Sequence, residues 1–123
     1  MPSSVRHTTF DAADPYAIAT FWAQVVGGRV TDEDAPGDAE VLVESDGPPL
    51  LFVRVPDAKT VKNRVHLDLQ PDGTRADEVR RLSELGATVV DDRTGPDGRG
   101  WVVMADPEGN EFCVEHGRQD RPV

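Results

Sequence analysis

Two histidines stand at matching places in the sequence, one near the start of each half. His7 lies in the strand-like run VRHTTF, and His66 lies in RVHLDLQ with Asp68 two residues later. Residues two apart on a strand share a face, so we expect His66 and Asp68 side by side. Imidazole binds borderline metals and titrates near physiological pH, which makes these residues candidates for metal ligation or acid–base catalysis. The alternative is that both histidines are hydrogen-bonded lining residues.

Further polar and aromatic residues lie on runs that alternate like strands. Cys113 and Glu115 share one face of EFCVEH, and Phe52 and Arg54 share one face of LLFVRV. Arg54 offers a bidentate site for a carboxylate, with an ion pair to Glu115 as the alternative. Phe52 and Trp101 offer aromatic faces for stacking on a ligand. Beside the pair His66 and Asp68, the predicted lining of a ligand-binding cup is His7, Phe52, Arg54, Trp101, Cys113 and Glu115.

The single cysteine restricts the chemistry and the compartment. One cysteine allows no internal disulfide, which agrees with a reducing compartment. A nucleophilic thiol needs a nearby cation or helix N-terminus to lower its pKa, and the segment around Cys113 shows neither. We therefore expect a buried, unreactive thiol.

The composition limits the classes of partner. The 123 residues are enough for one domain with its own core. A net charge of −10 and a pI near 4.6 repel nucleic acid and anionic membrane surfaces. No signal-peptide pattern and no apolar stretch of transmembrane length is visible. We expect a cytoplasmic protein whose partner is a small molecule.

The first half reads as β-α-β-β-β. Asp14 is a helix N-cap, Pro15 takes the first helical position, and Gly27 ends the helix. Short β-rich runs follow, separated by the turn signals APGD and DGPP. The helical spacing of apolar residues predicts one buried face, made of Ile18, Phe21, Trp22, Val25 and Val26.

The second half repeats this order at an offset of about 60 residues. RVHLDLQ is the first strand, a helix runs from a cap at Thr74 to Gly86, and three β-rich runs end the repeat. The predicted fold is α+β, with two tandem βαβββ modules at about 5–57 and 62–116 and a loosely ordered tail at 117–123. The helices cover one face of each sheet, and the polar faces form a shared open eight-stranded cup.

The superposition of the two halves assigns equivalent positions. It places His7 on His66 at the first strand of each module. At the last strand, superposing LLFVRV on EFCVEH places Phe52 on Cys113. The counterpart of Glu115 is then Arg54.

Three stretches, HTTFDAADPYAIATFWAQVVGG, VHLDL and GWVVMADPEGNEFCVE, resemble the glyoxalase/bleomycin resistance/dioxygenase superfamily, also called vicinal oxygen chelate proteins, in its glyoxalase-like branch. The resemblance spans residues 5–115 and implies paired βαβββ modules that form a cup, completed within one chain or across a homodimer. Members that use metals place ligands on the first and last strand of each module. Carried over by position, these are His7, Phe52, His66 and Cys113, with Glu115 as the nearby carboxylate.

This ligand set departs from the His and Glu residues of glyoxalase I enzymes and extradiol dioxygenases. Phe52 and Cys113 stand where a carboxylate is expected, so the cofactor is either absent or one divalent metal among Zn, Ni, Mn and Fe. We therefore expect a metal-free protein that binds a small aromatic or anionic metabolite or drug, for resistance by sequestration or for acid–base chemistry by His66 and Asp68. One alternative is a metal-dependent lyase, isomerase or dioxygenase using His7 and His66 with Cys113 or Glu115. The other is an accessory subunit with a vestigial cup.

Overall fold

A computed structural model describes residues 1–120, and the chain divides into two compact units, Met1–Ala58 and Lys59–Val123. Each unit contains one helix and one four-stranded sheet. The fold is α+β with two βαβββ modules, as the repeat in the sequence predicts. Neither helix of the described residues has the length and apolar character needed to cross a membrane.

The first unit has the strand order β1-β4-β3-β2. Strand β1 is parallel to β4, and the other neighbours are antiparallel. Its elements are β1 (Thr8–Ala12), α1 (Pro15–Val26), β2 (Arg29–Val30), β3 (Glu40–Glu44) and β4 (Leu50–Arg54).

The second unit has the order β5-β8-β7-β6, which is the same topology. The predicted strand RVHLDLQ is reduced to two residues, because only Asp68 and Leu69 pair with β8. Its elements are β5 (Asp68–Leu69), α2 (Arg75–Leu85), β6 (Thr88–Asp92), β7 (Trp101–Ala105) and β8 (Glu111–Glu115).

Both helices begin and end as the sequence predicts. The Asp14 carboxylate accepts a hydrogen bond from the backbone of Ala17, and Pro15 follows the cap. Gly27 ends α1 with φ of 65°, a left-handed conformation that favours glycine. Thr74 caps α2, and Gly86 follows its last residue.

The core of the first unit is aromatic and lies between α1 and the sheet. Trp22 and Phe52 have no exposed surface, and the Phe10 ring lies 5.0 Å from Phe52 and 5.8 Å from Trp22 between ring centroids. The prediction that Phe52 lines an open cup is therefore wrong. Leu50 and Phe52 face the helix, which leaves Leu51 and Val53 on the open face of β4.

The error is a shift of one residue in the superposition of the last strands. Thr9, two residues after His7, pairs with Leu51, whereas Asp68, two residues after His66, pairs with Cys113. The counterpart of Cys113 is therefore Leu51. A shift of one residue exchanges the two faces of a strand, so Phe52 lies on the face opposite to the predicted one.

The start of the predicted tail is attached to the second unit. The backbone N–H groups of Arg118 and Gln119 donate to the carbonyls of Pro71 and Gly73. Asp120 accepts from the backbone N–H groups of Arg75 and Gly117. Residues 117–120 are thus ordered, contrary to the prediction, and residues 121–123 lie outside the described part of the chain.

Candidate functional site

On the open face of the second sheet, strand pairing determines which side chains are neighbours. The middle row contains Val103, Cys113 and Asp68, since Val103 pairs with Cys113 and Cys113 pairs with Asp68. Trp101 pairs with Glu115 in the next row. These side chains lie on the side of the sheet opposite the buried Phe112 and Val114, which form part of the core.

His66, Asp68 and Cys113 come together as the centre of this face. His66 Nδ1 lies 3.0 Å from Asp68 Oδ1 and 3.9 Å from Cys113 Sγ. An ionised carboxylate only accepts hydrogen bonds, so the tautomer that satisfies this contact has its proton on Nδ1 and an unprotonated Nε2. The predicted residues His66 and Asp68 therefore lie side by side, and Asp68 orients the His66 imidazole.

The Cys113 thiol is buried, with 7% of the residue exposed. Burial, together with the neighbouring Asp68 carboxylate, raises the pKa of this thiol above its ordinary value. Both Cys113 and Asp68 approach the same nitrogen of His66, so the three do not form a nucleophile–base–carboxylate relay. This arrangement favours an unreactive thiol.

A cavity of about 720 Å³ opens over this group, and residues of the second unit line it. Trp101 forms part of the lining, with 40% of its surface exposed. Glu115 also lines it, two residues along the strand from Cys113. The apolar part of the lining includes Val61, Val90 and Val103.

One wall of the cavity is the segment 59–63, and Glu111 holds it in place. The Glu111 carboxylate forms an ion pair with Lys59 and accepts a hydrogen bond from the backbone N–H of Asn63 at 3.0 Å. The Asn63 side chain also donates to the Glu111 carbonyl. Glu111 thereby positions Val61 and Lys62 at the cavity.

A β-bulge shapes the opposite wall. The pairing of β6 with β7 shifts between Val89 and Asp91, so Val90 is an extra residue, and both Val90 and Asp91 line the cavity. Arg93 also lines it, and its Nε donates to Asp91 at 2.7 Å. Glu111, Asp91 and Arg93 are not among the predicted site residues. The alternation of Asp91, within β6, and Arg93, directly after it, is the available signal for the last two.

The remaining predicted residues lie in the first unit. His7 precedes β1, and its Nδ1 lies 3.4 Å from Thr9 Oγ1. Arg54, at the end of β4, donates to the carbonyl of Gly37 at 3.2 Å. Whether His7 and His66 share one cup depends on the arrangement of the two units, and the shared cup stays a prediction.

The group His66, Asp68 and Cys113 also has the spacing of a metal site. One ligand atom from each lies within 4.8 Å of the others. Bonds of roughly 2.0–2.3 Å to a tetrahedral ion place the ligand atoms about 3.3–3.8 Å apart, so small side-chain movements suffice. The set fits a divalent ion. His66 and Cys113 are among the ligand positions that the family resemblance implies, and Asp68, rather than Glu115, is the carboxylate of this group.

Comparisons with known proteins agree with this architecture. Residues 7–115 match the family model described as a glyoxalase-like domain. No curated protein has a significantly similar sequence.

Solved structures include three that share the fold over nearly the whole chain. Hypothetical protein SA1046 from S. aureus is 18% identical, with 94% of this chain and 95% of that chain covered and a TM-score of 0.71. A glyoxalase/bleomycin resistance protein/dioxygenase family enzyme from Burkholderia phytofirmans PsJN is 16% identical, with 91% and 97% covered and a TM-score of 0.69. The fosfomycin resistance protein FosX from Listeria monocytogenes, complexed with Mn(II) and a dihydroxypropylphosphonic acid, is 17% identical, with 95% and 92% covered and a TM-score of 0.72. At such identities the likeness shows the fold alone.

Proposed function

The chain belongs to the glyoxalase-like family, and from this premise we propose that it binds a small aromatic or anionic molecule in the cavity of its second unit, without a metal. The observation that carries the proposal is the cavity itself. Its volume of about 720 Å³ lies in the range that holds metabolites and drug-sized ligands. Its lining combines the exposed Trp101 with a few fixed polar groups, which is the usual composition of a small-molecule site.

The oriented imidazole supports acid–base chemistry on the bound molecule. Asp68 fixes the tautomer and the orientation of His66, so Nε2 can accept a proton from a ligand in the cavity. The same groups also serve simple sequestration, since they hydrogen-bond a ligand without changing it. Turnover of the ligand, with loss of turnover in His66→Gln, distinguishes an enzyme from a sequestering protein.

Ligand binding is tested by thermal-shift and NMR titration with a panel of aromatic acids, aromatic amides and aliphatic acids. We expect aromatic compounds to raise the melting temperature, because a ligand that binds the folded state stabilises it. Trp101→Ala removes the stacking surface and abolishes the shift, whereas Tyr16→Ala, on α1 of the other unit, keeps it. Absence of stabilisation by every class contradicts the proposal.

A metal-dependent lyase, isomerase or dioxygenase is the second candidate, and the spacing of His66, Asp68 and Cys113 favours it. These three residues would hold the ion, which when bound polarises the oxygen atoms of a chelating substrate. FosX from Listeria monocytogenes is a structural neighbour in complex with Mn(II). Elemental analysis of protein purified without chelator separates the candidates. We expect no stoichiometric metal and unchanged binding after EDTA treatment; one equivalent of metal, lost in Cys113→Ala, supports the second candidate.

The homodimer expected from the family resemblance remains part of the proposal. Light scattering at several concentrations measures the oligomeric state. A mass of about twice 13.4 kDa is the expected result.

A further inference from the structure

One row of the open face places Trp101 between two opposite charges. Trp101 pairs with Glu115 on β8. On the other side, the backbone N–H of Arg93 donates to the Trp101 carbonyl at 2.8 Å, which continues the β6–β7 pairing by one residue. Residues directly opposite each other on neighbouring strands share a face and lie about 5 Å apart. The indole is therefore flanked by a guanidinium on one side and a carboxylate on the other, and all three line the cavity.

Arg93 is held in an orientation that leaves its outer nitrogens available. Asp91 and Arg93 are two apart on extended backbone, and the Asp91 carboxylate accepts from Arg93 Nε at 2.7 Å. The bulge at Val90 brings Asp91 to the cavity face. An arginine bound through Nε still presents the N–H groups of Nη1 and Nη2, which match the geometry of a carboxylate.

We propose that Arg93 selects a negatively charged ligand, and that the ligand is an aromatic carboxylate. This inference rests on the proposed function, because it assigns a ligand class to the same cavity. The aromatic ring lies on Trp101, and the carboxylate is bound by Arg93. Glu115 repels the anionic end from the β8 side, so the carboxylate points toward β6 and the rest of the molecule reaches His66.

The other cations of the lining are less suited to this role. The Lys59 ammonium is paired with Glu111 and holds the segment 59–63. Lys62 belongs to that segment and is a flexible point charge, without the planar fork of arginine. Arg93 combines a fixed orientation with a place beside the exposed indole.

The experiment compares 2-naphthoate with its neutral isostere 2-naphthamide in NMR titrations. The indole N–H signal of Trp101 reports binding, and the signal of the fully buried Trp22 is the internal reference. Arg93→Gln removes the guanidinium. Arg99→Gln is the matched control, since Arg99 belongs to the same β6–β7 connection, pairs with Asp97 at 3.7 Å and lies outside the cavity lining.

We expect the wild type and Arg99→Gln to bind the acid about tenfold more tightly than the amide, as for a partly exposed charge-assisted hydrogen bond. In Arg93→Gln the two affinities should agree within about twofold. A preference for the acid that survives in Arg93→Gln overturns the inference. So does equal binding of acid and amide by the wild type, or tighter binding of 2-naphthylmethylammonium, which would assign the selectivity to Glu115. In these cases the proposed function stands; if no probe shifts the Trp101 signal, both fail.

Discussion

The open faces of the two sheets have the same strand order but different side chains at matching positions. With His7 placed on His66, Thr9 corresponds to Asp68 and Leu51 corresponds to Cys113. On the next strand, Leu42 pairs with Leu51, and the equivalent pair in the second sheet is Val103 with Cys113. In the row beside it, Glu40 pairs with Val53, and the equivalent pair is Trp101 with Glu115. The central row of the first sheet is thus threonine and two leucines, whereas that of the second is aspartate, cysteine and valine.

The same strand pairing therefore carries polar side chains in the second sheet and mainly apolar ones in the first. In the first unit Thr9 stands where the second unit has the Asp68 carboxylate. A hydroxyl is a weaker hydrogen-bond partner for an imidazole than a carboxylate is. The second sheet has Trp101 on its open face, whereas Phe10, Trp22 and Phe52 of the first unit pack together in its core. We infer that the chemistry belongs to the second module and that the first is mainly a packed scaffold.

The largest expected effect on stability comes from removing an aromatic ring from the core, compared with removing one from the open face. Phe52→Ala should lower the free energy of unfolding by about 3–5 kcal/mol, because it opens a cavity in a fully buried aromatic cluster. Trp101→Ala should cost about 1 kcal/mol or less, since the side chain is partly exposed, but it should abolish binding of aromatic probes. Denaturant titration and NMR titration measure the two effects. A small loss of stability in Phe52→Ala would contradict the assignment of this ring to the core.

The next effect concerns the wall of the cavity, which the first unit lacks in this form. Glu111 corresponds to Pro49 in the first unit, so the ion pair to Lys59 and the hydrogen bond from Asn63 are specific to the second. Glu111→Gln should cost about 1 kcal/mol and release the segment 59–63. Tryptic cleavage after Lys59 and Lys62 should then become faster.

Glu115→Gln is the control for that experiment, because it removes the same charge from the same strand face. It should leave the rate of tryptic cleavage unchanged. If both variants are cleaved at the wild-type rate, Glu111 does not hold the wall.

A smaller effect is the response of the second unit to acid. The backbone N–H groups of Arg75 and Gly117 hold the pKa of Asp120 below its ordinary value of 3.8. Since the folded pKa is lower than the unfolded one, the stabilisation is present above about pH 4 and is lost as the pH falls through the folded pKa. Asp120→Asn should flatten the fall of the denaturation midpoint between about pH 5 and pH 3. Asp72→Asn is the control: its ion pair with Arg118 is solvent-exposed and contributes little to stability, so the fall should be unchanged.

The sequence predicts the elements of this fold well because their signals are local. The caps at Asp14 and Thr74 and the glycines that end the helices act within a few residues, and the repeat confirms each assignment by a second instance. The centre of the site is predictable for the same reason, since His66 and Asp68 are two residues apart in the sequence, in extended backbone that leads into β5.

The features of the fold and the site that the sequence does not predict depend on pairing between distant segments. Whether Leu51 or Phe52 faces the helix is decided by the register of β4 against β1, and both residues are apolar. The bulge at Val90, which brings Asp91 to the cavity, has no local sequence signal comparable to a cap. The contact of Glu111 with Asn63 spans 48 residues and follows only from the folded sheet.

The smallest expected change in stability, and the sharpest test of the comparison, comes from His7. In its own unit this side chain contacts Thr9 Oγ1, so His7→Gln should change the free energy of unfolding by less than about 0.5 kcal/mol. The predicted shared cup requires more than this scaffold role, because the His7 imidazole would then face the same ligand as His66. On that prediction His7→Gln weakens binding of 2-naphthoate about threefold or more, by loss of one hydrogen-bonding group, while Thr9→Val has a smaller effect. Unchanged affinity in His7→Gln would restrict the ligand to the second module, and the first histidine would then be a remnant of the duplication.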